Sequence, residues 1–200
     1  MPAVFFQRRF PCAAVAALLA ALAMARATPA ADDKVREYVD EITAVSITVP
    51  TDSLVFARER SDLAVNARDY LTLAPLEINR TGKRRYFWSG YLWSTIDRRG
   101  GPILAPGDTL VLVADGRPIA LQSDGQSLRN HGVGQPPTPM PVRTATPVLF
   151  AASAETIAYV ARSEELHVEL IHEGSSESFA LWKEGREAVR AFVDRLGLAQ

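Results

Sequence analysis

Three histidines, His131, His167 and His172, are the side chains in this 200-residue chain best suited to move a proton or hold a metal near neutral pH. On a strand over residues 166–172, His167 and Glu169 share one face, offering two ligands or a general base with its carboxylate. Leu166, Val168 and Leu170 occupy the opposite face, so a solvated outer surface explains the pair more simply. His167 and Glu169 are therefore weak metal candidates, and no metal is assigned. No histidine pair has the helical spacing of a zinc hydrolase.

Nucleophilic catalysis finds little support. Gly174-Ser175-Ser176 follows His172 and Glu173, placing hydroxyl, imidazole and carboxylate close in sequence. No Gly-x-Ser-x-Gly elbow occurs, and these residues fall where a hairpin turn is expected. The single cysteine, Cys12, lies in the N-terminal segment, so thiol chemistry is not available to the rest of the chain. Asn130-His131-Gly132-Val133-Gly134 has glycines for a phosphate cradle but lacks the lysine and the following helix of a P-loop. No cofactor is implied.

The aromatic run Tyr86-Phe87-Trp88-Ser89-Gly90-Tyr91-Leu92-Trp93 holds five of the 16 aromatic residues. Such rings stack on sugars or anchor a partner, although the core of a β domain uses them equally well. The candidate ligand or partner residues are Tyr86, Trp88, Tyr91 and Trp93, with His131 and Arg143 from the proline-rich stretch that follows.

The elements that position these residues begin after a leader. Residues 1–27 read as a secretory signal: Arg8 and Arg9, an apolar run from Phe10 to Ala25, then Ala25-Arg26-Ala27 before a cut at Thr28. The run falls short of the roughly 20 residues of a membrane span, so no stable span is expected after cleavage. Cys12 opens the run instead of ending it, which argues against lipidation. Cleavage removes Arg8, Arg9 and Arg26 from the 22 basic residues and none of the 23 acidic ones, leaving a net charge near −4. A nucleic-acid partner is not suggested.

Val35, Tyr38, Val39 and Ile42 have helical spacing, which predicts a short amphipathic helix over 31–42. Alternation predicts strands at 44–50 and 54–56. Hairpins are expected at 70–79 with 84–96 through Arg80-Thr81-Gly82, at 109–114 with 117–122 through Asp115-Gly116, and at 166–172 with 178–182. A strand at 148–151, a helix at 154–162 capped by Ser153, and a helix at about 183–196 ending at Gly197 complete the reading.

Residues 123–147, with five prolines and Gly125, Gly132 and Gly134, have no hydrophobic period. A loop of that length is functional or mobile, and its removal is expected to leave folding intact.

The fold class is α+β, mainly antiparallel β and sandwich-like, in one exported domain over 28–200. The function expected is that of a non-catalytic periplasmic protein that binds an envelope protein or small ligand through a sheet edge or the 123–147 loop. The alternatives are a hydrolase using carboxylates with His131, His167 or His172, and a carbohydrate- or lipid-binding module using strand 86–93.

Overall fold

A computed structural model describes residues 34–96 and 102–198; the expected leader lies outside them. In chain order the strands are β1 (Val35–Val39), β2 (Ser46–Pro50), β3 (Leu54–Glu59), β4 (Arg68–Arg80), β5 (Lys83–Ser94), β6 (Thr109–Ala114), β7 (Arg117–Gln122), β8 (Thr146–Ala152), β9 (Leu166–His172) and β10 (Ser175–Lys183). Two helices are described, α1 (Ala154–Arg162) and α2 (Arg186–Leu196). The strand pairings are antiparallel, so the chain is α+β with mainly antiparallel sheet.

Two expectations are corrected. The helix expected over 31–42 is strand β1, paired with β2 from Val35 opposite Pro50 to Val39 opposite Ser46. Val35, Tyr38 and Val39 favour extended backbone, and the free edge of β2 supplies hydrogen bonds that a helix this short would have to make alone. The sandwich is instead one ten-stranded sheet in the order β1-β2-β4-β3-β10-β9-β6-β7, with β5 on the other side of β4 and β8 beyond β5. The sheet curls far enough for β7 to lie against β8.

The long strand β4 organises this sheet. Along one edge its residues 68–73 pair with β3 and 77–79 with β2, while β5 follows the other edge throughout. Pro75 falls at the handover, where the strand lacks a neighbour on one side. Each of the three hairpins turns on two residues with positive φ, Thr81-Gly82, Asp115-Gly116 and Glu173-Gly174, the geometry that matches strand twist. The last turn is tighter than expected, so Ser175 and Ser176 already belong to β10.

Both faces of the sheet are covered. On the inner face Phe56, Leu71, Leu73, Trp88, Leu112, Phe150 and Val168 meet Ile157 and Val160 of α1 and Val189 and Phe192 of α2. Ser153 Oγ caps α1 by accepting the Thr156 amide, and Gly197 ends α2 in the left-handed region. On the outer face Val45, Ile47, Ala74, Leu76, Ile78, Phe87 and Leu149 form a second cluster with Val133, which comes from the proline- and glycine-rich stretch.

Candidate functional site

Alternation along β5 separates its aromatic rings. Trp88 is fully buried in the inner core, where its indole N–H has no hydrogen-bond partner among the described residues, and Tyr86 packs half-buried at the edge of that core. Tyr91 and Trp93 point to the outer face with Phe87. The six sequence candidates therefore do not share one surface: Tyr91 lies beneath residues 123–147, His131 is buried within that stretch, Trp93 lies farther along β5, and Arg143 is exposed.

Residues 123–147 form a fastened cover. Beginning at the N-terminal side, Arg85 donates to the His131 carbonyl at 2.8 Å and approaches its Nδ1 at 3.3 Å. A guanidinium only donates, so Nδ1 accepts and the proton sits on Nε2. The imidazole lies on the Phe87 ring, 4.8 Å between centroids, and Nε2 stands 3.2 Å from Asp124 Oδ2 without hydrogen-bond alignment. The Gly134 amide donates to Asp40 Oδ2 at 2.7 Å, Arg36 donates to the Pro137 carbonyl, and the Tyr91 hydroxyl donates to the Thr138 carbonyl at 3.0 Å. Burial pushes the Tyr91 phenol up, keeping it a neutral donor.

The cover comes close at two glycines, and at Gly132 the positive φ favours glycine. A Cβ on Gly132, at φ +87°, would lie 2.2 Å from Arg80 Nη2, and one on Gly134 would lie 2.9 Å from Ile42 Cδ1. Leu128 and Val133 meanwhile seal the outer cluster. The stretch thus packs as part of the fold, and its removal would uncover the outer cluster.

Between this cover, β5 and β8 lies a cavity of about 330 Å³. Its walls are mainly apolar, with Leu104, Val133, Val148 and Leu149 buried and Tyr91 on the β5 side. Met140, 48% exposed, and Ile103, 84% exposed, stand at the mouth. Its volume falls at the lower end of the range for small-molecule sites. Sequence reading pointed to the cover and to Tyr91 but missed Ile103, Leu104 and Val148, because three separate segments assemble the walls.

The other candidate chemistry lies elsewhere. His167 is exposed and Glu169 half-buried on β9, as alternation requires. Among the described residues, no three His, Cys, Asp or Glu side chains are grouped to hold a metal. His172 Nδ1 is 2.8 Å from Asp108 Oδ2, a pairing the sequence reading did not anticipate. Burial opposes the Asp108 charge, but His172 and the Ala105 amide hold the carboxyl below its usual range. His172 Nε2 stands 4.0 Å from Glu173 Oε1.

A second aromatic group decorates the outer face. Tyr70 and Trp93 stack at 5.1 Å, Trp182 meets Tyr70 edge-on at 6.4 Å, and Arg68 covers the Trp182 ring at 4.5 Å. These are contacts of the kind by which cross-strand pairs stabilise a sheet, and Trp182 stays 57% exposed.

No protein-family model matches the chain, and neither a curated protein nor a solved structure matches it significantly.

Proposed function

We propose that this chain is a non-catalytic binding protein of the bacterial cell envelope, exported by the leader at 1–27, whose ligand occupies the cavity beneath residues 123–147. The observation that carries the reading is the fixed cover. Four groups on β1, β5 and the turn after β1 hold an irregular stretch over an apolar space. Pre-organisation of the cover lowers the cost of binding a ligand. His131 belongs to the fastening, with Nδ1 engaged by Arg85 and the ring on Phe87, so it supports a positioning role instead of proton transfer.

The test is titration with N-phenyl-1-naphthylamine, a neutral apolar dye that brightens when buried. Saturable one-to-one binding is expected, weakened about tenfold or more by Leu149→Phe or Met140→Trp, each of which puts bulk into the space. Melting curves establish that the variants are folded. Absence of saturable binding to the folded wild-type chain would overturn the reading.

A further inference from the structure

We propose that the ligand is a single-chain anionic amphiphile, an alkyl carboxylate whose chain fills the cavity and whose head is held by Arg129. This inference rests on the cavity being a ligand site.

The hydrogen-bonding inventory of the cavity selects the ligand class. Among the described residues, Arg129 is the one charged side chain in its lining. Arg129 is exposed, and no side-chain partner engages its guanidinium among the described residues. The nearby acids are already committed. Asp40 accepts from the Ile42, Thr43 and Gly134 amides, and Asp124 accepts from the Gln126 amide and faces His131. Arg129 is thus the charged side chain that the cavity wall offers to a ligand head.

Several uncharged polar groups already have partners. The Tyr91 hydroxyl donates to the Thr138 carbonyl, Ser123 Oγ accepts the Gly125 amide, and Ser127 Oγ donates to Asn130. Arg129 and the carboxamides of Gln126 and Gln135 complete the polar lining. A sugar would bury many hydroxyls against mainly apolar walls, where each one left without a partner carries a cost. An alkyl chain asks nothing of those walls, and a guanidinium suits a carboxylate bidentately.

The space, about 330 Å³ and open to solvent at its mouth, is of a size for a small organic ligand.

The experiment competes decanoate and its uncharged counterpart decanol against N-phenyl-1-naphthylamine on the full mature chain, with Arg129→Gln and Arg129→Lys alongside. Decanoate is expected to displace the dye about tenfold more strongly than decanol. Arg129→Gln abolishes that preference, read as the ratio of the two competitors within each variant, Arg129→Lys keeps much of it, and added salt weakens it.

Equal displacement by the two competitors, or a preference that survives Arg129→Gln, would overturn the anionic head while the cavity reading stands. Absence of dye binding would overturn both. A last arm incubates the chain with phosphatidylglycerol–phosphatidylcholine vesicles: sedimentation with the vesicles and indifference to decanoate would assign the anion to a membrane lipid, contradicting the free amphiphile.

Discussion

Asp40 and Gly134, 94 positions apart, are joined by a hydrogen bond of 2.7 Å from the glycine amide to the carboxylate. The other carboxylate oxygen accepts the Ile42 and Thr43 amides at 2.9 and 3.1 Å, so one side chain closes the turn after β1 and anchors the cavity cover. Burial opposes its charge, but these amides win and hold the carboxyl below its ordinary value of 3.8.

The sign of the pH dependence follows. A lowered folded-state pKa contributes stability that is present above about pH 3.8 and is lost as the pH falls through the folded value. Asp40→Asn is expected to melt below wild type at pH 7, with the gap closing in acid. A constant gap in melting temperature across that range would contradict a role for the charge.

Glu77 gives the opposite sign. It is buried between Thr48 on β2 and Tyr86 on β5, and burial raises its pKa against the pull of Arg84. A raised carboxyl loses stability as pH climbs from 4.5 through the folded value. Glu77→Gln is expected to equal or exceed wild-type stability at pH 7, its advantage shrinking toward pH 4.5; denaturant midpoints at the two pH values check this.

Gly90 and Gly174 separate close approach from backbone strain. A Cβ at Gly90 would lie 1.8 Å from the Thr72 carbonyl oxygen, against the backbone of β4. Gly90→Ala is expected to cost about 3 kcal/mol or more, or to prevent folding. Gly174, at φ +78° with open space around it, pays only for its dihedral, about 1–2 kcal/mol on substitution by Ala. Urea midpoints of the two variants test the ranking.

Arg85 tests the cover itself. Arg85→Ala removes the bonds to His131 and is expected to raise hydrogen exchange at the amides of 131–134, leaving β9 and β10 unchanged. Uniform faster exchange across the sheet would point to global destabilisation instead.

The three hairpins and α1 were legible because their signals are local: two turn residues, a capping serine, alternating side chains. Strand β1 was not, since Val35, Tyr38 and Val39 satisfy helical spacing and strand propensity alike, and the free edge of β2 decides between them. The single sheet was hidden for a related reason. Two partners sharing one edge of β4 is a tertiary arrangement that a turn-by-turn reading misses. Of the site, the sequence singled out Tyr91, His131 and the dense prolines and glycines. It concealed Asp40 and Arg85, whose roles depend on residues 46 or more positions away.

The most direct test of the binding reading is native mass spectrometry of the chain, tagged at Gln200 and purified gently from its host's envelope fraction. The account expects an N-terminus at about Thr28 and one small organic mass per chain, absent from the Leu149→Phe variant. A chain that emerges bound at fixed stoichiometry to a second protein, with no small molecule, would contradict it.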